Sequence, residues 1–257
     1  MMKTELERLE KRIRERFVKA FATYRLLEDN DYVLVGLSGG KDSLCLLEML
    51  AKRAKIDHPK FRVEAIHVRM ENIAYETSTA YLEQFCRELD VPLHIVTTRF
   101  DSNPPAADSS LPTPHSLLKS KPPCFLCSWH RRKQLFNVAQ ELGCNKIALG
   151  HHQDDLLHTC LMNQFYQGRF DTMPALLKMR KMPLSIIRPL CMVEEADIQR
   201  YAELRGYEKQ VKLCPYEKDS HRDDMRNLCD TIQQQNPEAR HSLWNALVRA
   251  GKLVDES

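Results

Sequence analysis

The chain has 257 residues, 43% of them hydrophobic, enough for a sizeable core and too many for a disordered polymer. Its 38 Lys and Arg against 35 Asp and Glu leave a formal charge of +3, so bulk charge marks it for neither nucleic acid nor membrane and any such surface must come from local clustering. No apolar stretch approaches the roughly 20 residues of a membrane helix, the N-terminus lacks the apolar centre of a signal peptide, and nine cysteines cannot pair fully; a cytoplasmic protein with reduced thiols is expected, some of them bound to metal or sulfur.

Residues 5 to 27 read as an amphipathic helix with Leu6, Leu9, Ile13, Phe17, Ala20 and Phe21 on one face and a basic cluster, Lys11, Arg12, Arg14 and Arg16, around it. An apolar strand over 32–37 then runs into Ser38-Gly39-Gly40-Lys41-Asp42-Ser43, and Leu44, Leu46, Leu47, Met49 and Leu50 follow in a helical pattern. Backbone N–H groups in such a turn form an anion nest, the helix N-terminus adds partial positive charge, and glycine admits close approach, so the turn reads as a pyrophosphate grip. It is not the common P-loop, because Val35 and Asp42 stand where that motif needs glycine and Ser or Thr. The plainer alternative is a strand-turn-helix connection capped by Ser38 or Ser43.

A second strand over 62–68, a helix over 76–89 and a third strand over 93–96 continue the alternation. Residues 101–123 carry six prolines and read as a long loop, which in a compact domain is usually functional or disordered. A helix over 128–142 leads to a strand over 146–149 that ends in Gly150-His151-His152-Gln153-Asp154-Asp155; a helix to about residue 165 and a strand over 186–190 follow. Three helical segments near 194–205, 219–234 and 238–250 close the chain with no strand expected between them. The expected fold is α/β: a parallel sheet with helices on both faces, organised as an N-terminal helix (1–28), a main domain (29–191) and a small C-terminal helical appendage (192–257).

Cys124 and Cys127 sit where the helix after the long loop begins, and a helix N-terminus favours thiolates. One CxxC alone reads equally as half a zinc site, a redox pair or chance. Cys214 lies in a turn of the C-terminal segment, and three cysteines from two distant loops would leave a metal centre with an open position. Cys45, Cys86 and Cys160 fall in helical patterns as small hydrophobes, and Cys144, Cys191 and Cys229 are isolated. Arg131, Arg132 and Lys133, and likewise Lys178, Arg180 and Lys181, suit either RNA phosphate or a solvated face. Phe125, Trp129 and Tyr216 flank the cysteines and suit either stacking on a splayed base or packing. His151 and His152 point apart as neighbours, which favours a structural or substrate-contact role over shared ligation of one ion.

The glycine turn resembles that of the PP-loop (adenine nucleotide alpha hydrolase-like) ATP pyrophosphatases. The ordered set SGGKDS, CFLC, LGHHQDD, IRPL and Cys214 is similar to the TtcA family of tRNA 2-thiocytidine synthetases from about residue 30 to 235. That resemblance implies an ATP-dependent tRNA sulfurtransferase: the 2-oxo group of an anticodon-loop cytidine, at position 32, is adenylated and replaced by sulfur. It implies ATP at Ser38, Gly39, Gly40, Lys41, Asp42, Ser43 and Gly150, with Lys41 supplying charge to the leaving group and Mg²⁺ at Asp42. It further implies a [4Fe-4S] cluster on Cys124, Cys127 and Cys214 and Asp155 at the ATP and metal site; Arg131, one turn past Cys127, joins the catalytic candidates by its position, facing RNA phosphate or the activated intermediate. Implied partners are tRNA and a sulfur donor such as a cysteine desulfurase, with a homodimer allowed. The chain departs from the family at Val211, where a further cysteine is common, and at Pro215-Tyr216-Glu217. Two other readings stand beside it: a lysidine-synthetase-like amine ligase with a zinc site, and a non-catalytic nucleotide-binding redox sensor. Thiolases of the uridine branch carry paired CxxC modules at both ends, and neither end here has one.

Ligands of a parallel sheet collect at the carboxyl ends of its strands, where both the grip and the GHHQDD loop emerge. The start of the CxxC helix is expected toward the opposite end, so that the long loop or a tilt must carry Cys124 and Cys127 across.

Overall fold

A computed structural model describes residues 2–100, 122–214 and 221–255. In chain order the elements are α1 (Met2–Tyr24), β1 (Tyr32–Gly36), α2 (Lys41–Ala54), β2 (Arg62–Met70), β3 (Ala74–Tyr75), α3 (Ala80–Leu89), β4 (Leu93–Thr98), α4 (Pro123–Leu142), β5 (Lys146–Ala148), α5 (Gln153–Gln167), β6 (Leu176–Lys178), β7 (Ser185–Ile187), α6 (Glu195–Arg205), β8 (Lys212–Leu213), α7 (His221–Gln235), α8 (Ala239–Arg249) and β9 (Val254–Asp255). The main sheet has the order β4-β2-β1-β5-β7-β6-β9. All its neighbours run parallel except β6 against β7. Val33, Leu34 and Val35 of β1 are all fully buried, the continuous apolar run of a strand covered on both faces.

On one face a large core joins Ile13 and Phe17 of α1, Leu44 and Leu47 of α2, Leu82 of α3, Leu156 of α5 and Ile198 of α6. On the other, Leu34, Ile66 and Ile147 lie under Val138 and Ala139 of α4. Residues after 192 enter the same core through Ile198, Tyr201, Trp244 and Leu247. The basic cluster of α1 is partly engaged there: Arg12 pairs with Asp197, and Arg16 donates to Glu194 at 2.6 Å. A buried carboxylate locks the grip helix to α6. Glu48 of α2 accepts from Tyr201 Oη at 3.0 Å and from Tyr207 Oη at 2.5 Å, and pairs with Lys52 at 2.8 Å and Arg205 at 2.9 Å.

Four expectations are corrected. β8 interrupts the C-terminal segment expected to lack strands, and β6 and β9 add a further edge to the sheet. The helix expected from residue 76 starts at Ala80, because Ala74 and Tyr75 are drawn into an antiparallel ribbon with β8. The CxxC helix begins not near Ser128 but at Pro123, where proline presets the helical φ and Phe125 and Leu126 N–H both reach Pro122 O. Nor does it start at the far end of the sheet. A helix that crosses between two parallel strands runs antiparallel to them, and α4, 20 residues and hence about 30 Å long, ends at the start of β5 and begins beside the carboxyl ends of β2 and β4. Leu126 accordingly packs with Met70 and Phe100 there.

Candidate functional site

The grip is closed by its own polar groups. Ser43 Oγ donates to Gly40 O at 2.9 Å and lies 3.0 Å from Ser38 Oγ, while Ser38 N–H points to Ser43 Oγ at 3.2 Å. Gly39 has φ +83°, the left-handed region that favours glycine, and a Cβ there would fall 2.7 Å from Gln210 Cβ. Gly40 caps α2 without a side chain of its own, which leaves the helix N-terminus facing outward. Lys41 Nζ sits 3.0 Å from both Asp42 Oδ1 and Glu195 Oε1. Burial works against its charge, but the two carboxylates outweigh that and raise its pKa.

The loop after β5 packs directly onto the grip. A Cβ on Gly150 would meet the Asp42 carbonyl and Ser43 N at 3.1 Å, so glycine is what lets the two loops touch. His152, buried, stands among three carboxylates: 3.9 Å from Asp42, 3.6 Å from Asp154 and 3.5 Å from Asp155. Burial lowers its pKa, the carboxylates raise it, and the net shift is upward. Asp155 also accepts the His152 N–H at 3.1 Å and so terminates α5. Asp154 accepts Glu195 N–H at 2.8 Å and pairs with Arg240 of α8. Burial opposes its ionisation, but His152 and Arg240 prevail and hold its carboxyl far below the usual range. Arg188, just past β7, is buried; burial lowers its pKa to about 10, so it remains a cation at neutral pH.

A cavity of about 360 Å³ opens beside the grip. Gly36, Ser38 and Gly40, with Gln210 lying over Gly39, form one wall, Ile66, His67 and Val68 of β2 another, and Tyr75 and Arg131 complete the lining. Among the described residues, four buried polar atoms lacking a hydrogen-bond partner belong to its lining: His67 Nε2, Arg131 Nε, and Oε1 and Nε2 of Gln210. A second cavity, of about 410 Å³, shares Gly40 and Lys209 with the first and is lined by Lys41, Asp42 and Tyr207.

The cysteines divide by environment. Burial pushes the thiols of Cys86 and Cys191 up to about 12 and those of Cys144, Cys160 and Cys229 to about 11, and raises Cys45 as well, so these six stay protonated. Cys124 is exposed in the first turn of α4, and Cys127, one turn on, is half-buried. Cys127 and Cys214 pack against one apolar cluster, Met70, Ile73, Phe100 and Leu126, together with Tyr75. The β3–β8 ribbon sets this up, since Leu213, beside Cys214 in sequence, pairs with Ala74 beside Tyr75. No three His, Cys, Asp or Glu side chains among the described residues converge on a single-ion position.

The model of the PP-loop domain matches residues 7–229. A tRNA-cytidine(32) 2-sulfurtransferase of Paraburkholderia xenovorans is 34% identical over 244 residues, 95% of this chain and 69% of that protein. The chain belongs to the TtcA family of PP-loop tRNA 2-thiocytidine synthetases. A second TtcA relative, the tRNA-cytidine(32) 2-sulfurtransferase of Marinobacter nauticus, is 32% identical over 261 residues, 98% of this chain and 81% of its own. Among solved structures, the U34-tRNA thiolase NcsA from Methanococcus maripaludis with its [4Fe-4S] cluster superposes with a TM-score of 0.72 over 95% of this chain and 79% of that one, at 24% identity, a likeness of fold.

The structure thus brings the TtcA motifs to one end of the sheet: Ser38 to Ser43, Gly150 and Asp155 around the grip, Arg131 across the cavity, and Cys127 and Cys214 beyond it. Arg131 donates to Tyr75 Oη at 3.2 Å, whereas Arg132 and Lys133 face solvent, with Lys133 over the Trp129 ring at 5.5 Å. Pro215, Tyr216 and Glu217 lie outside the described residues, as does most of the proline-rich loop. Sequence reasoning missed Glu195, Arg240, His67 and Gln210. Only His67 left a signal, as a polar residue in the middle of an apolar strand.

Proposed function

We propose that the protein thiolates tRNA, adenylating the 2-oxo group of cytidine 32 and replacing it with sulfur. The observation that carries this reading is one shared cavity. Its near wall is the grip, and Tyr75 on its far wall belongs to the apolar cluster that holds Cys127 and Cys214. ATP activation and sulfur delivery must meet over one base, and this cavity joins the two groups of residues that would perform them.

In this reading the backbone N–H groups of the Gly39 to Lys41 turn, with the Gly40 N–H exchanging Ser38 Oγ for phosphate, and the N-terminus of α2 receive the phosphates. Lys41 turns from Glu195 and Asp42 toward the β- and γ-phosphates and supports the charge of the leaving pyrophosphate. Asp42, with Asp155 nearby, would hold Mg²⁺, which would neutralise charge on the phosphates. The cytidine 2-oxygen attacks the α-phosphorus and pyrophosphate departs; hydrosulfide then adds at C2, the C2–O bond breaks, and AMP leaves with the oxygen. Arg131, which lines the cavity, meets the negative charge of that adenylate in this reading.

Cys124, Cys127 and Cys214 fit a [4Fe-4S] cluster by donor chemistry: they are thiols left at least partly accessible at a helix start and a turn packed on the same apolar cluster, and they would hold the group as thiolates. Bound there, it would present hydrosulfide that the sulfur donor delivers. tRNA and a sulfur donor such as a cysteine desulfurase are the partners this chemistry requires, in the cytoplasm where tRNA is modified; no helix among the described residues is long and apolar enough to cross a membrane.

The test is iron, sulfide and zinc content of protein purified without oxygen, followed by incubation with ATP, Mg²⁺, a sulfide source and unmodified tRNA. About four irons per chain and 2-thiocytidine at position 32 are expected. Stoichiometric zinc without iron would favour the amine ligase instead, and nucleotide binding without pyrophosphate release in any tRNA would favour a sensor.

A further inference from the structure

Leu37 O can only accept a hydrogen bond, and it lies 2.7 Å from His67 Nδ1, so Nδ1 carries a proton. His67 is 2% exposed, and burial, with Arg131 and Arg69 close by, lowers its pKa and keeps the ring neutral. A neutral ring protonated at Nδ1 presents a lone pair at Nε2, and that atom has no partner although its residue lines the cavity. The same cavity is lined by Gln210, whose carboxamide is equally unsatisfied at both its donor and its acceptor. Gln210 does not drift there. Its N–H donates to Gly39 O at 3.0 Å, Glu76 N–H reaches Val211 O at 3.0 Å, and Val211 N–H reaches Thr77 Oγ1 at 3.0 Å, so residues 209–211 form a strap pinned over the grip. Buried polar atoms left unpaired are costly, and several in one cavity point to a ligand that pairs with them.

We propose that His67 and Gln210 select the nucleobase of the triphosphate, reading the amino edge of adenine. His67 Nε2 accepts from the exocyclic amine, and the Gln210 carboxamide, which matches adenine's adjacent donor and acceptor in the bidentate manner of glutamine on adenine, completes the contact. A 6-oxo purine turns an acceptor toward the His67 lone pair and is rejected by that repulsion. This rests on the reading that the grip holds ATP and adds how the base is chosen.

The experiment measures binding of ATP and inosine triphosphate, with pyrophosphate release, for wild type, His67→Phe and Gln210→Ala. Wild type is expected to favour ATP by roughly ten- to a hundredfold, since the 6-oxo analogue leaves buried groups unpaired. Each variant should lose most of that ratio, chiefly through weaker ATP. A ratio unchanged in both variants, with both nucleotides weakened alike, would overturn the inference and leave His67 and Gln210 as packing groups. His67→Phe also removes the bond to Leu37; if that variant fails to fold, Gln210→Ala, on the strap, decides alone. Wild type that binds neither nucleotide would instead overturn the ATP reading itself.

Discussion

The nucleotide grip and the cysteine corner flank one cavity yet are held by different forces. At the grip, polar groups satisfy one another: Ser38, Gly40 and Ser43 close the turn, Lys41 lies between two carboxylates, and Gly150 seats the second loop against Asp42. At the cysteine corner the scaffold is apolar: Met70, Ile73, Phe100 and Leu126 pack beneath Cys127 and Cys214, and a ribbon of two residues per strand ties the turn in place. A polyanion with fixed spacing rewards donors aligned in advance, because none has to reorganise when it binds. Thiols that are to bond covalently to a ligand need only be brought near, since the bonds themselves set the final geometry. Under the proposed function, the difference in construction follows the difference in what each side would hold.

Damage to one side should spare the other, and the largest separation is expected from Cys214→Ala. Thiolation should fall to background while ATP affinity stays within about threefold of wild type, because no hydrogen bond of the grip involves that residue. Equilibrium nucleotide binding and a thionucleoside assay on one preparation check this; a parallel loss of ATP binding would break the comparison. Lys41→Ala is the reciprocal variant, expected to slow pyrophosphate release roughly a hundred- to a thousandfold while leaving iron content unchanged. Gly39→Ala comes next. Forcing a Cβ into the left-handed region costs about 1–2 kcal/mol before its clash with Gln210, so ATP affinity should drop about tenfold and the thermal midpoint fall. An ATP affinity equal to wild type would mean that the strap moves aside freely.

His152 is the mildest probe. Its folded-state pKa is raised, so the stabilisation it gives is complete below the ordinary histidine value of 6.5 and is lost as pH rises through the higher folded value. Melts of wild type and His152→Asn should therefore differ most at about pH 6 and converge toward alkaline pH. A gap independent of pH would show that Asp42, Asp154 and Asp155 do not hold the proton.

The alternation of strands and helices was legible because β1, β2 and α2 carry long apolar patterns, and the family because its motifs come in order. What was not legible depended on contacts distant in sequence. β6, β8 and β9 span two or three residues each, too few to show a period, and exist because a neighbouring edge accepts them. Gln210 has no local signature: its place over Gly39 comes from a strap anchored at Glu76 and Thr77. The direction of α4 was available in principle, since any crossover helix opposes its strands, and recognising this removes the need for a loop to carry Cys124 and Cys127 across the sheet.

The β3–β8 ribbon also sets an order of events during folding. Ala74 is expected to meet Leu213 only after the intervening strands and helices are in place, because closing so long a loop gains little until the elements within it have packed. Cys127 and Cys214 come together late for the same reason. A ligand that spans them would be received by a finished fold, and because the ribbon runs on into the strap over Gly39, loss of the ribbon would loosen both sides of the cavity together.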